Sequence, residues 1–154
     1  MGILIYTDGG CSGNPGPGAW AYVILEAKNT KIIAEKWGSH MSTTNNRMEL
    51  SAAIAALEAL TDLDASHGNV TVYTDSQYVQ KGINIWIHTW KKNDWKTSDK
   101  KPVKNMDLWQ RLDDLAGTFL LTWKWVKGHA GNEYNERCDR MTQEAIASLT
   151  GCLF

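Results

Sequence analysis

Two aspartates directly follow apolar stretches that resemble each other. Asp8 ends the run ILIYTD, and Asp75 ends the run VTVYTD. Either acid alone fits the ordinary role of a turn former, but the shared Tyr-Thr before both favours a common role. Acids at strand ends, next to loops, occupy the places where functional residues accumulate on a sheet. The two runs therefore indicate a functional edge of a β-sheet.

Two further acids lie in segments with helical character. Glu49 belongs to the alanine-rich segment 48–60 and falls near its apolar stripe, and Asp139 stands directly after Cys138 in the last helical segment. Each also fits an ordinary role, the first as a glutamate favoured by the helix dipole and the second as part of a charged helix face. Spacing alone leaves open whether the four acids converge.

The chemistry of four converging carboxylates would be that of a metal site. Their mutual repulsion is costly unless a divalent cation relieves it. Oxygen ligands without cysteine or clustered histidine select Mg²⁺ or Mn²⁺ rather than zinc. Two such ions about 3.5–4 Å apart serve phosphodiester hydrolysis, one activating water and the other stabilising the leaving oxygen.

Hydrophobic periodicity predicts the elements that must position these acids. Residues 9–18 contain five glycines and two prolines and are predicted to form a turn-rich loop. The predicted strands are 3–7, 19–26, 31–40, 69–75 and 119–126. The predicted helices are 48–60, 76–83, 105–117 and 133–149. This order implies an α/β fold, in which helices pack on a mixed sheet and crossovers follow the third strand.

The composition suits one domain that spans residues 1–154. Its 154 residues, 43% of them hydrophobic, can bury a core without disulfides or a structural metal. No stretch approaches the roughly 20 apolar residues of a membrane span, and the first residues lack the basic start of a signal peptide. The three cysteines (Cys11, Cys138 and Cys152) show no CxxC spacing and fit reduced thiols. We therefore expect a cytoplasmic protein without a membrane partner.

The net charge of −1 hides a segregation of charge along the chain. Segment 81–104 holds seven lysines and two aspartates, a net charge of +5, and the remainder carries nine basic and 15 acidic residues. A basic lobe on an acidic body can bind a polyanion even though the overall charge would not favour it. Aromatic and basic side chains interleave in this lobe: they are Trp86, Trp90 and Trp95 with Lys91, Lys92 and Lys96.

The tryptophans of the lobe have two interpretations. Trp86 and Trp90 are four residues apart and share a helical face, so they either pack the protrusion against the body or contact a ligand. The lysines would meet phosphates and give an affinity that depends on salt but not on sequence. The remaining tryptophans are expected in the core: Trp20, Trp37, Trp109, Trp123 and Trp125.

Four blocks of the sequence together resemble a known family. The blocks TDGGCSGNPGPGAWAYV, TTNNRMEL, YTDSQYV and WKWVKGHAGNEYNERCD occur in the order and spacing of type 1 ribonucleases H of the bacterial kind. The resemblance implies a ribonuclease H-like fold: a five-stranded mixed sheet with helices on both faces and a basic handle at about 81–104. It also implies an endonuclease that cleaves the RNA strand of RNA–DNA hybrids and leaves 5′-phosphate and 3′-hydroxyl ends.

The resemblance further implies the site residues by position. The metal-binding carboxylates would be Asp8, Glu49, Asp75 and Asp139, and His129 would be the mobile catalytic histidine. The residues that read RNA 2′-hydroxyls would be Asn14, Asn45 and Gln77, and the pocket for a DNA phosphate would contain Thr44 and Asn46. The implied cofactor is a pair of Mg²⁺ ions, or Mn²⁺, with no small-molecule cofactor, and the implied partner is an RNA–DNA hybrid bound by a monomer.

Two other functions remain open from the sequence. A silent module that binds hybrids would keep the basic handle but could lose an acid, and all four acids are present. A nuclease of the same fold that acts on DNA, such as a junction or strand-transfer enzyme, would lack the 2′-hydroxyl readers, whereas Asn45 and Gln77 are present. Asn14 before Pro15 and Thr44 before a helix also fit the local roles of turn residue and helix cap.

Overall fold

The structure of the protein is a computed structural model. A five-stranded mixed sheet forms its centre. The structure describes residues 2–63, 68–128 and 130–151. The strands are β1 (Ile3–Cys11), β2 (Gly16–Glu26), β3 (Ile32–Thr43), β4 (Asn69–Thr74) and β5 (Leu120–Trp125). The helices are α1 (Asn45–Asp62), α2 (Gln77–Lys81), α3 (Ile87–Lys92), α4 (Met106–Ala116) and α5 (Glu133–Thr150), with a π-helical turn, Gly82–Trp86, between α2 and α3.

The strand order β3-β2-β1-β4-β5 explains the mixed character of the sheet. The first three strands form an antiparallel meander, and β4 and β5 add to it in parallel after crossovers. Helix α1 packs on one face of the sheet, and α5 packs on the other. The predicted α/β fold with a mixed sheet and helices on both faces is therefore confirmed.

The boundary of β1 differs from the prediction in a way that affects the site. Residues 9–11 were predicted to be loop, but they continue the strand because β2 supplies antiparallel partners as far as the pair Cys11–Gly18. The parallel pairing of β1 with β4 stops earlier, at the pair Thr7–Thr74. Thus Asp8 stands inside β1 but directly after the last residue that pairs with β4.

The sheet separates two hydrophobic clusters. The larger lies between the sheet, α1 and α4 and includes Ile5, Leu57 and Trp109, all fully buried. The smaller lies under α5 and includes Val23 and Cys138. Alternate residues of β1 serve the two clusters, as the strand period of two requires.

The prediction that five tryptophans lie in the core is wrong for two of them. Trp109 and Trp123 are buried and Trp20 is partly buried, but Trp37 is 51% exposed and Trp125 is 44% exposed. Both exposed residues belong to edge strands, β3 and β5, which are covered less completely than the three central strands.

The basic lobe is anchored by an aromatic cluster. The ring of Trp90 lies 6.0 Å from that of Trp86, 6.3 Å from that of Trp95 and 5.4 Å from that of Trp109, measured between centroids. The backbone of Gly82 lies so close to the Trp109 ring that a Cβ there would overlap it. Trp86 and Trp90 therefore pack the protrusion against the body, as one of the two interpretations predicts. Contact of either ring with a ligand stays a prediction.

Candidate active site

The end of the β1–β4 pairing brings two acids side by side. Asp8 and Asp75 each follow a member of the last parallel pair, Thr7–Thr74. One carboxylate oxygen from each of Asp8, Asp75 and Glu49 lies within 4.8 Å of the others, and among the described residues these three acids form a group that could hold a metal ion. Three of the four predicted acids thus converge.

Glu49 reaches this group from the first turns of α1. Thr44 caps the helix, and its Oγ1 accepts a hydrogen bond of 3.3 Å from the backbone N–H of Arg47. Its start then presses against β1, where a Cβ at Gly9 would lie only 2.5 Å from the backbone nitrogen of Glu49. Glycine is therefore required at position 9 for the helix to approach the strand this closely.

Asp139 enters from α5 and is less closely associated with the group. Asn132 caps this helix, and its Oδ1 accepts from the backbone N–H groups of Tyr134 and Asn135 at 3.1 and 3.0 Å. The charge of Asp139 is near enough to raise the pKa of Asp8, but its oxygens lie outside the group of three described above. It stands beside the cluster rather than within it.

Burial and mutual repulsion raise the free-energy cost of ionising the carboxyl groups in this cluster. The Asp8 residue is only 5% exposed, and desolvation, followed by the charges of Asp75 and Asp139, raises its pKa to about 8. Hydrogen bonds from Thr142 and the backbone of Gly9 oppose that rise. Burial, together with the charges of Asp8 and Asp75, also raises the pKa of Glu49 well above its usual range.

The carboxylates fit a divalent cation. Glu49 Oε1 is buried and has no hydrogen-bond partner, which is costly for a carboxylate oxygen unless a cation or water meets it. The donor set of Asp8, Glu49 and Asp75 consists of oxygen alone, which suits hard ions such as Mg²⁺ and Mn²⁺. A divalent ion would also relieve the repulsion that raises the pKa values of Asp8 and Glu49.

We expect the metal-free protein to lose stability as the pH rises. The folded-state pKa values of Asp8 and Glu49 are above those of the unfolded chain, so the folded protein holds more protons between about pH 4 and pH 8. Its free energy of unfolding must then fall across that window. Thermal unfolding in EDTA should show Tm decreasing from pH 5 to pH 8.5, and saturating Mg²⁺ at pH 8 should raise Tm. A Tm that rises over this range in EDTA would contradict the described cluster.

The predicted substrate residues lie on segments next to those that carry the carboxylates. The side chain of Asn14 accepts a 3.3 Å hydrogen bond from the backbone N–H of Asn45, and Asn45 Oδ1 accepts one of 2.8 Å from Cys11. The structure therefore joins the two exposed asparagines at the start of α1. Thr44 is the predicted cap of that helix, and the half-buried Asn46 follows in its first turn.

Gln77 follows Asp75 closely in the sequence. It is the exposed first residue of α2, two residues after Asp75, and Ser76, the cap of this helix, accepts a hydrogen bond from the backbone N–H of Val79. His129 lies outside the described residues. Its neighbour Gly128 approaches the site so closely that a Cβ there would lie 3.1 Å from Asp75 Oδ2.

Two contacts of the acids were not anticipated from the sequence. Thr142 Oγ1 lies 2.9 Å from Asp8 Oδ2, and the indole nitrogen of Trp125 donates a 3.0 Å hydrogen bond to the backbone oxygen of Asp75. The position of Thr142, three residues after Asp139 and hence on the same face of the helix, was the one available signal for the first contact. No sequence pattern indicated the second.

The lysines of the handle differ in their partners. Lys91 forms an ion pair of 3.2 Å with Asp113 on α4, whereas Lys92 and Lys96 are exposed on the handle surface. The handle loop is closed by a bridge between Lys96 and Pro102. Within the described part of the chain, no helix is long and apolar enough to cross a membrane.

Known proteins share both the sequence and the fold. The RNase H family model matches residues 1–147. A ribonuclease H of Treponema denticola is 52% identical to this chain, in an alignment that covers 97% of this chain and 99% of that protein. Among solved structures, LC9-RNase H1, described as a type 1 RNase H with the type 2 active-site motif, has a TM-score of 0.85 at 30% identity over 96% of this chain and 73% of that chain.

A further solved structure contains a nucleic acid. LC11-RNase H1 in complex with an RNA/DNA hybrid has a TM-score of 0.75 at 26% identity, covering 96% of this chain and 99% of that chain. The sheet, the carboxylate cluster and the match along nearly the whole sequence agree with one another. The chain therefore belongs to the ribonuclease H family.

Proposed function

We propose that this protein is a metal-dependent endoribonuclease that hydrolyses the RNA strand of RNA–DNA hybrids and leaves 5′-phosphate and 3′-hydroxyl ends. The observation that carries the proposal is the convergence of Asp8, Glu49 and Asp75 within 4.8 Å on a ribonuclease H fold. The hybrid complex of LC11-RNase H1 supports the choice of substrate. The single domain 1–154 would act as a monomer, and the free thiols of Cys11 and Cys138 favour the cytoplasm.

The family and the carboxylates together indicate the use of a divalent metal, and we propose two Mg²⁺ ions, with Mn²⁺ as a substitute. Asp8, Glu49 and Asp75 would hold them, with Asp139 completing the ligand set from α5. Such ions supply, when bound, an activated water and stabilisation of the leaving oxygen. The protein's own contribution is to hold the acids in place and to bury one unpartnered oxygen of Glu49 for this purpose.

Amides and carboxylates beside the cluster would distinguish RNA from DNA. A 2′-hydroxyl both donates and accepts, and so does a side-chain amide, which suits Asn14, Asn45 and Gln77 to the wide minor groove of a hybrid. Glu49 would also accept from the 2′-hydroxyl beside the scissile phosphate. The three amides are exposed and lie on segments next to those that carry the acids, which supports this assignment.

Neutral donors would hold the DNA strand near α1. Thr44 Oγ1 accepts a hydrogen bond from Arg47, so its own proton can still be donated to a phosphate. Asn46, two residues later at the beginning of the same helix, would complete this phosphate pocket, where the helix N-terminus also favours an anion. His129, which follows Gly128 in the sequence, would transfer protons or assist release of the product phosphate.

The handle would bind backbone phosphates through its lysines. Lys91, Lys92 and Lys96 present ammonium groups on its surface, and the packed rings of Trp86 and Trp90 would hold that surface in place beside the substrate. Because Lys91 is partly neutralised by Asp113, we expect Lys92 and Lys96 to contribute more of the affinity. A contact of Trp86 or Trp90 with the hybrid itself would use the ring edges that remain half-exposed.

Replacing Lys91, Lys92 and Lys96 together by alanine should raise KM for the hybrid. Each lost phosphate contact lowers the slope of log KM against log salt concentration by about 0.9, so a decrease of about 2–3 is expected. Steady-state cleavage at salt concentrations from about 50 to about 200 mM measures this slope. The matched control is Lys28→Ala with Lys31→Ala, two exposed lysines at the β2–β3 turn. An unchanged slope in the handle variant would dismiss the handle as a binding surface.

The decisive test of the proposed function compares four end-labelled duplexes, each with Mg²⁺ and with EDTA. They are RNA–DNA, RNA–RNA, DNA–DNA and DNA carrying one ribonucleotide. We expect metal-dependent cuts confined to the RNA of the hybrid. Cleavage of DNA–DNA would favour a DNA-directed nuclease of the same fold. Binding of the hybrid without any cleavage would favour a silent binding module.

A further inference from the structure

Thr142 connects the strand that carries one acid with the helix that carries another. Its side chain, on α5, is 1% exposed and lies against β1. Its Oγ1 lies 2.9 Å from Asp8 Oδ2 and 2.8 Å from the backbone carbonyl oxygen of Asp139. Among the described residues, the side-chain hydrogen bond shown to the carboxylate of Asp8 is this one from Thr142.

The hydroxyl of Thr142 can donate its proton to only one of these two acceptors at a time. A threonine has one proton to donate, so it can serve either Asp8 or the carbonyl of Asp139 at a given moment. An ionised carboxylate is the stronger acceptor, and metal binding requires the ionised form. When Asp8 holds a cation, the hydroxyl therefore donates to Oδ2, which fixes the rotation of the carboxylate.

We propose that Thr142 is a positioning residue that orients the carboxylate of Asp8 for the divalent metal. The inference rests on the proposed function and deepens it. Hydrogen-bonded partners of metal ligands set ligand orientation, and their loss costs about 10–100-fold in metal affinity or activity. Since Thr142 is buried between α5 and β1, it would make no contact with the hybrid, and its effect must pass through Asp8.

The test removes the hydroxyl while conserving the shape of the side chain. For Thr142→Val, calorimetric titration of Mn²⁺ into the metal-free protein should give a Kd about tenfold higher than that of the wild type, and the Mg²⁺ concentration for half-maximal cleavage should rise in parallel. Thr142→Ser, which keeps the hydroxyl, should stay close to the wild type. At saturating metal, KM for the hybrid should be unchanged in both variants.

A control on the same helix separates metal positioning from a local helix effect. Thr150 Oγ1 also donates to the carbonyl three residues earlier, that of Ala147, but it is exposed and far along α5 from Asp139. Thr150→Val should therefore leave the Mn²⁺ Kd unaltered. If Thr142→Val fails to fold, Thr142→Ala compared with Thr142→Ser isolates the same hydroxyl.

The outcomes separate this inference from the proposed function. Equal Mn²⁺ affinity in the wild type and in Thr142→Val, or in the Ser and Ala variants, would overturn the positioning role, even if Tm falls. A wild type that binds Mn²⁺ but leaves the hybrid uncut would contradict the proposed function. The calorimetric comparison of Mn²⁺ Kd values would still test the positioning role of Thr142.

Discussion

Asp8→Asn is expected to reduce cleavage of the hybrid at least about a thousandfold, which corresponds to about 4 kcal/mol of transition-state stabilisation. The amide removes the negative charge of an acid that lies in the group of three converging carboxylates. Since the proposed substrate contacts are made by other residues, binding of the hybrid should change little. Single-turnover cleavage with Mg²⁺ and a filter-binding titration measure the two effects separately.

The same substitution should stabilise the metal-free protein. Asp8 is buried beside Asp75 and Asp139, and their repulsion contributes to its raised pKa. An uncharged side chain avoids this cost, so Tm in EDTA at pH 8 should rise by about 2–4 °C for each kcal/mol recovered, and the gain should vanish near pH 4.

A distant exposed acid provides the control for Asp8→Asn. Asp114 is exposed on α4, outside the basic handle, and Asp114→Asn should alter neither cleavage nor the pH dependence of Tm. Turnover that survives in Asp8→Asn would contradict the metal assignment. A lower Tm at pH 8 would show that Asp8 is not held against neighbouring charges.

Gly9→Ala is expected to damage both the fold and the site. A Cβ at this position would lie 2.5 Å from the backbone nitrogen of Glu49 and 2.6 Å from the backbone oxygen of Met48. Main chain cannot rotate out of the way as a side chain can, so α1 must move away from β1. Overpacking of this kind costs about 3 kcal/mol. The displacement also carries Glu49 away from Asp8, and a shift of about 1 Å can cost about a hundredfold in rate.

The adjacent glycine provides a matched control for Gly9→Ala. A Cβ at Gly10 would meet only the side-chain oxygen of Asn45, at 3.8 Å, so Gly10→Ala should change the free energy of unfolding by about 0.5 kcal/mol or less. Urea denaturation compares the two variants. Equal stability of Gly9→Ala and the wild type would mean that α1 is not held by this close approach.

The sequence was informative where local pattern decides the structure. The run Tyr-Thr-Asp marked both Asp8 and Asp75, because acids that follow neighbouring parallel strands end at the same edge of the sheet. Thr44 and Ser76 cap α1 and α2, and their side chains accept hydrogen bonds from the backbone N–H groups of Arg47 and Val79. The caps depend on interactions between residues close in the chain, and the repeated Tyr-Thr-Asp can be read from the sequence directly.

Features set by tertiary packing were not predictable in this way. The arrival of Glu49 depends on a main-chain contact between α1 and Gly9, and the 9–11 segment became strand only because β2 continues beside it. Trp37 and Trp125 are large apolar residues of the kind expected in a core, but the strand order places them on the two edges of the sheet. Their exposure follows from topology, which hydrophobic content does not encode.

The aromatic cluster of the handle has a spectroscopic consequence. Trp86, Trp90, Trp95 and Trp109 are half of the eight tryptophans, and their rings stand within 6.3 Å of a neighbour. Near-ultraviolet circular dichroism reports fixed aromatic packing, whereas the far-ultraviolet signal reports backbone structure. Indole rings this close also couple their electronic transitions. The near-ultraviolet spectrum of this protein will therefore follow the docking of the handle, and comparison with the far-ultraviolet melt will resolve local undocking from global unfolding.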